Sequence, residues 1–267
     1  MMTKSGSPRL IEASGLSIAW GHVLSELTAP GCTEISPLTL SITGFDEDGY
    51  PVENQNIRAA LDHWLEITGK RGCENVAFTI FPERYYLLAQ GNRTEFFEMY
   101  REAFQRIQKL NPQNNKKGSY FQRLIDFEGG GKGFNQLEWI LAEYERRPSG
   151  RRSRWQATTF DPHRDVSRTS LQEFPCLQQV SFTFSETNGL IVNAFYATQQ
   201  IIRKGYGNYL GLSRLGRFMA HEMGLKMERL NVFVGVAQAD DLKKTDPDFL
   251  AMMAVINAEL QNAPVPA

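Results

Sequence analysis

Residues 174–211 read FPCLQQVSFTFSETNGLIVNAFYATQQIIRKGYGNYLG. Val180, Phe182 and Phe184 alternate with Gln179, Ser181 and Thr183, which is the period of a half-buried strand. Leu190, Val192, Ala194 and Tyr196 repeat that period. Asn188-Gly189 lies between the two runs and predicts a hairpin turn, because both residues tolerate positive φ. The glycine-rich corner Gly205-Tyr-Gly-Asn208 then opens a helix expected over 208–223. Leu212, Leu215, Phe218, Met219 and Met223 share one of its faces, and Gly224 ends it. Cys176 follows Pro175 at the head of the first strand, where a side chain can face a cleft.

Working outward, 135–146 has the spacing of a helix, with Leu137, Ile140, Leu141 and Tyr144 apolar. Arg151, Arg152 and Arg154 follow, ahead of an alternating run from Trp155 to Phe160. Such a cluster is either a solvated basic patch or a phosphate clamp, since guanidinium forks bind phosphate bidentately. LNVFVGVAQ (230–238) is a last strand and Phe249 to Leu260 a last helix, before a tail marked by Pro264 and Pro266.

The first half carries weaker signals. Two apolar stretches in 16–43, split by Pro30-Gly31, read as strands, and Asp46 to Asp48 as a solvated turn without EF-hand spacing. Ile57, Leu61, Trp64 and Leu65 fit a helix over 56–68, and VAFTIFP (76–82) a buried strand. Thr94 is placed to cap a helix whose Phe96, Phe97, Tyr100, Phe104 and Ile107 form a core stripe. Residues 111–119 and 161–173 read as loops, the latter carrying His163 and Asp165. Gly129 to Gly133 with Lys132 lacks the Ser/Thr that a phosphate loop places after its lysine, so a hinge is the expectation.

Composition bounds the class. The chain has 267 residues, 42% hydrophobic and 22% charged, in the range of an ordinary globular protein. A net charge of −1 gives no bulk attraction to nucleic acid or anionic membrane, so neither is expected as a partner. The three cysteines, Cys32, Cys73 and Cys176, cannot all pair and lack metal spacing; a reducing, cytoplasmic setting is expected. No apolar run reaches the ~18 residues of a membrane span.

The order Pro175-Cys176, strand, reversal, strand and Gly205-Tyr-Gly-Asn208 resembles the thymidylate synthase family, which includes pyrimidine-nucleotide hydroxymethylases. NQLEWILAEYERRPSGRR (135–152) resembles the family's helix and arginine pair, so the resemblance covers roughly 135–238. It implies one thymidylate-synthase-like α+β domain over 1–267, with 1–117 weakly matched and 1–10 loose. It implies a mixed sheet with packed helices and a homodimer through the sheet face. It implies 5,10-methylenetetrahydrofolate as one-carbon donor and a pyrimidine nucleotide as substrate. Cys176 would be the nucleophile and Asn208 the reader of the base, leaning to uracil. Arg151 and Arg152 would clamp the phosphate in the partner's site, and Thr198 would fall at a substrate-binding position.

The chemistry suits a thiol. A pyrimidine ring is unreactive at C5 until a nucleophile adds at C6, and thiolate is both nucleophilic and a tolerable leaving group. Hydride then gives a methyl product and water a hydroxymethyl one. Only 239–267 follow the last strand and most read as packed helix, which leaves little for a water-excluding lid and favours hydroxymethyl. The departures from the family are specific. Leu177 stands for its histidine, Ala197-Thr198 for an Arg-Ser, and Gln200 for an aspartate; Val236-Ala-Gln-Ala-Asp-Asp241 lacks the His-x-Tyr. Without the strand arginine the thiolate loses a nearby cation, for which Arg203 or Arg154 could substitute. Three readings stand: a diverged C5 one-carbon transferase that is not an ordinary dUMP methylase; a non-catalytic nucleotide-binding or interaction protein of the same fold; and an unrelated α/β protein.

Overall fold

The computed structural model describes residues 7–110, 112–115, 117–128, 133–166, 175–239 and 243–263. These form β1 (Arg9–Ser14), α1 (Leu16–Thr28), β2 (Glu34–Ile35), β3 (Leu38–Thr43), α2 (Gln55–Ile67), α3 (Cys73–Phe78), α4 (Glu83–Leu88) and α5 (Arg93–Leu110). Short helices α6 (Pro112–Asn115) and α7 (Tyr120–Ile125) lead to α8 (Gln136–Arg146), a 3-10 turn (Arg152–Arg154), β4 (Gln156–Thr158) and α9 (Pro162–Asp165). The remainder is β5 (Leu177–Phe184), β6 (Gly189–Gln200), a π-helical turn (Ile201–Gly205), α10 (Tyr206–Glu222), β7 (Lys226–Gln238) and α11 (Pro247–Asn262).

The strands make one mixed sheet in the order β1-β3-β7-β6-β5-β4, with β2 also on β7. β5 and β6 are the antiparallel hairpin, and β6 runs parallel to β7 with α10 as the crossover. β1 and β3 are parallel across α1, and β3 is antiparallel to β7. The architecture is α+β, a mixed sheet with packed helices.

Two expected strands are helices. In 16–28 the buried apolar side chains are Leu16, Ala19, Trp20, Val23, Leu24 and Leu27, a 3.6-residue period that gives α1 instead of a strand. Cys73, Val76, Ala77, Ile80 and Phe81 follow the same period, so 76–82 continues α3 and its helical exit. The hairpin turn is one residue earlier than expected. Asn188 alone takes positive φ (64°), while the Ser185 N–H donates to the Gly189 carbonyl to close the loop. α5 is capped by Asn92, whose side chain accepts from the Glu95 N–H, ahead of the expected Thr94. The expected loop 111–119 contains α6 and the loop 161–173 begins with α9; Gly129 to Lys132 and residues 167–173 lie outside the described residues.

Leu190, Val192, Ala194 and Tyr196 of β6 face the helices, as do Leu230, Val232 and Val234 of β7. Both strands then change phase together. The next buried residues are Gln199 and Ala237, directly paired, three positions on from Tyr196 and Val234. The neighbouring edge breaks at the same level: β2 ends and β3 begins around Ser36-Pro37, and Ser36 Oγ donates to the Gly235 carbonyl at 2.8 Å. This shared kink puts Tyr196 and Gln199 on the same inner side at the end of β6.

α10 lies on this frame by very close approach. A Cβ on Gly207 would stand 2.7 Å from the Cys73 carbonyl oxygen, and one on Gly211 would stand 2.8 Å from that of Ala77. One on Gly216 would meet Met227 and Val192 at 2.6 and 2.7 Å. Trp20 Nε1 donates to the Ile201 carbonyl, and Tyr206 Oη shares hydrogen bonds with Ser17 and Glu53, which ties the start of α10 to α1.

Alanine normally stabilises a helix by about 1 kcal/mol over glycine. At Gly211 the opposing atom is backbone and cannot turn aside. Gly211→Ala is therefore expected to lower the unfolding free energy by about 1–3 kcal/mol, the usual range for overpacking. The measurement is a fall in the urea midpoint at unchanged slope.

Candidate functional site

Cys176 is half-buried at the mouth of β5. Its carbonyl accepts from the Ala197 N–H at 3.1 Å, and Leu177 pairs with Tyr196, so Tyr196 and Ala197 flank it across the hairpin. Thr198 Oγ1 donates to Cys176 Sγ at 3.9 Å. Tyr120, at the start of α7, lies against the Cys176 side chain and the Cys176–Leu177 backbone. Burial raises the Tyr120 phenol above its ordinary value, with the neighbouring Cys176 adding to it and the adjoining backbone opposing.

Behind the thiol is a layer of buried polar groups. Tyr196 and Gln199 are both sealed from solvent. Tyr209 Oη donates to Gln199 Oε1 at 2.8 Å, while Gln199 Nε2 and Tyr196 Oη find no hydrogen-bond partner among the described residues. Burial also pushes the phenols of Tyr196 and Tyr209 up, so both stay neutral donors.

Asn208 sits in the first turn of α10, one residue before Tyr209, and is 4% exposed. Its amide carries two donors and an acceptor into the first turn of the helix. The structure thus brings Cys176, Thr198 and Tyr120 together, while Asn208 is linked to the end of β6 through its neighbour Tyr209, which bonds Gln199. Arg151 and Arg152 are elsewhere: both are exposed at the 3-10 turn before β4, the strand at the sheet edge. Arg154 is no substitute for the missing cation. It pairs with Glu143 and lies over the rings of Trp139 and Trp155, 5.7 and 4.8 Å from their centroids. Of the other cysteines, Cys73 is buried and its thiol is pushed far up by desolvation, which leaves it inert. Among the described residues no group of histidine, cysteine and carboxylate side chains could hold a metal ion.

Two features that support Cys176 had no signal in the sequence around it. Tyr120 comes from a segment 56 positions upstream. Asp165, expected on the 161–173 loop, is fully buried in α9. Arg123, also buried, donates to both its oxygens at 2.6 and 2.8 Å and to the Thr159 carbonyl at 2.6 Å. Thr159 in turn donates its hydroxyl to the Leu177 carbonyl and its N–H to that of Gln178. This chain of bonds anchors the strand head that carries Cys176. His163, by contrast, is exposed, with only its backbone N–H bonded to Asp161. The apolar groove between α2 and α11, about 520 Å³ and lined by Asn56, Ala59, Ala60, Val255, Ala258 and Glu259, lies on other elements.

No protein-family model matches the chain. It is 29% identical over 109 residues to a "Putative thymidylate synthase" of Methanocaldococcus jannaschii, covering 40% of this chain and 47% of that protein. A protein of the same name from Methanopyrus kandleri is 29% identical over 105 residues, 39% of this chain and 48% of its own. The matches span about half the length of these curated relatives. Over about two fifths of its length the chain is thus similar to proteins named as thymidylate synthases. No helix among the described residues is long and apolar enough to cross a membrane.

The Arg123–Asp165 pair predicts a pH dependence. Burial works against the Asp165 carboxylate. Hydrogen bonds from Arg123 and from the Asp161 N–H, with the charges of Arg123 and Lys117, outweigh it and hold the group below the ordinary aspartate range. A depressed native value stabilises the fold above the unfolded value near ~3.9, and that stability is lost as pH falls through the native one. Asp165→Asn leaves Arg123 buried and uncompensated, at a cost of about 3–5 kcal/mol. Urea unfolding at neutral and acid pH should show the variant weaker at neutrality and less sensitive to acid than wild type.

Proposed function

We propose that this chain transfers a one-carbon unit from 5,10-methylenetetrahydrofolate to C5 of a pyrimidine nucleotide, with a methyl or hydroxymethyl product. The observation that carries the reading is the half-buried Cys176 thiol, with the Thr198 hydroxyl on its sulfur and the Tyr120 phenol beside it. Cys176 adds through sulfur to C6 of the base and leaves again by elimination once C5 has been substituted. Asn208 can donate to O4 of uracil and accept from N3–H. Thr198 is exposed enough to meet substrate as well as sulfur. The folate, when bound, supplies the carbon and, for a methyl product, the hydride. Half-buried Gln200, at the family's aspartate position, offers a folate one amide donor and one acceptor.

The reading includes a homodimer through the open sheet face. Phe195 and Phe233 stack there at 5.5 Å between centroids, 38% and 41% exposed, in the middle strands of the sheet. A second copy on that face would cover them, and the exposed Arg151 and Arg152 would reach for the partner's substrate phosphate. A non-catalytic nucleotide-binding protein of the same fold is the second reading. It is favoured by one observation: the hydrogen bond to Cys176 Sγ found among the described residues comes from a neutral hydroxyl and not from a cation.

Incubation with 5-fluoro-dUMP, or its ribonucleotide form, and methylenetetrahydrofolate should give a covalent adduct on Cys176 that is lost in Cys176→Ser. An adduct on Cys32, or none with any pyrimidine nucleotide, would favour the non-catalytic reading. With a natural nucleotide, product mass distinguishes methyl from hydroxymethyl by one oxygen. Sedimentation at micromolar concentration should show a dimer that Phe233→Arg dissociates; a wild-type monomer would refute the dimer.

A further inference from the structure

Across the hairpin from the head of β5 stands a buried phenol whose hydrogen bond is not spent. Tyr196 is wholly buried, stands across from Leu177, and has a hydroxyl with no partner among the described residues. An unpaired hydroxyl in a dry core costs stability that phenylalanine, of nearly the same shape, would not. Its surroundings are polar in a particular way. Tyr196 stands beside Cys176 across the hairpin, where the next residue, Ala197, donates its N–H to the Cys176 carbonyl, and Tyr120 and Tyr209 are the phenols around it. Tyr209 is committed to Gln199, whose amide nitrogen is also unpartnered.

A sulfur anion at Cys176 needs donors, and Thr198 supplies one from the outer side. We infer that Tyr196 is a positioning residue for Cys176, its hydroxyl a neutral donor held from the buried side for the sulfur once it loses its proton. The inference rests on the reading of Cys176 as the nucleophile. The thiol proton leaves to solvent, and Tyr196 keeps its own. Donors placed in advance of the charge they stabilise need no reorganisation when it forms. The unpaired state in the neutral thiol form is then the cost of readiness for the ionised one. Gln199 and Tyr209 hold the same layer, because the Tyr209–Gln199 bond fixes the amide beside the end of β6.

The test is alkylation of the full chain by iodoacetamide in a Cys32→Ser background, with the modified cysteine identified by peptide mass. Tyr196→Phe should slow labelling of Cys176 at about pH 7 by about tenfold, the order expected for one hydrogen bond to a charged group. At about pH 9.5, where an ordinary thiol is ionised without help, the two rates should converge. The melting temperature of Tyr196→Phe should be equal to or above wild type, because the change removes an unpaired polar atom and opens no cavity. Equal rates at neutral pH would overturn the inference. So would a rate lowered equally at both pH values, or a lowered melting temperature, since either marks a packing role. The assay uses neither nucleotide nor folate, so its failure leaves the nucleophile to be judged by the fluoronucleotide adduct alone.

Discussion

The constraint on which the rest depends is the close approach of α10 to α3 and to the sheet. Gly207, Gly211 and Gly216 leave room for no side chain: the first two face the main chain of α3 and the third faces Met227 and Val192, so the helix cannot settle at a second depth. That depth places Tyr209 within hydrogen-bond reach of Gln199 and puts Asn208 one residue away. The π-helical turn before it lets the chain leave β6 and enter α10 without a loop, and Trp20 holds the turn by its Ile201 carbonyl. The position of the Asn208 amide is thus set by glycines and an indole that lie away from it in sequence or on other elements.

A second support comes from the opposite side of the strand head. Arg123 and Asp165 form a buried pair whose mutual attraction has to offset the desolvation of both charges. Such pairs are weak sources of stability and better at fixing one arrangement, since any rearrangement strands a charge. Here the arrangement fixed is Thr159 against Leu177 and Gln178, directly beside Cys176. The strand head that carries the thiol is therefore anchored by an ion pair between α7 and α9.

What was legible in the sequence follows the range of the interactions. The β5–β6 hairpin, α10, β7 and α11 carry strong local periods and turn residues, and they appear within a few residues of expectation. α1 and α3 were misread because short apolar runs fit both a strand and a buried helix, and the deciding period only emerges with burial known. Cys176 and Asn208 could be singled out because Pro175 and the glycine corner surround them. Tyr120, Tyr196 and Arg123 could not. Their roles depend on which atoms lie opposite them, and Tyr120 and Arg123 reach Cys176 across more than fifty positions of chain. The paired phase change at the ends of β6 and β7 was equally hidden, since a pattern written on one strand does not show that its neighbour breaks at the same level.

The strand order has a consequence for the time course of folding. β3 (Leu38–Thr43) is bordered by β1 and by β7, which is made almost two hundred residues later. On a ribosome, β1, α1 and β3 would emerge as a small parallel unit with one edge unpaired, until Lys226–Gln238 is synthesised. The buried face of α1 also waits, because α10 and α11 pack on it from the same late part of the chain. Pairings this distant in sequence are slow to close, and the segments that wait for them are exposed to aggregation in the meantime. The stretch from β1 to β3 is therefore the part that waits longest for its partners during synthesis, although the finished molecule buries the inner faces of α1 and β3.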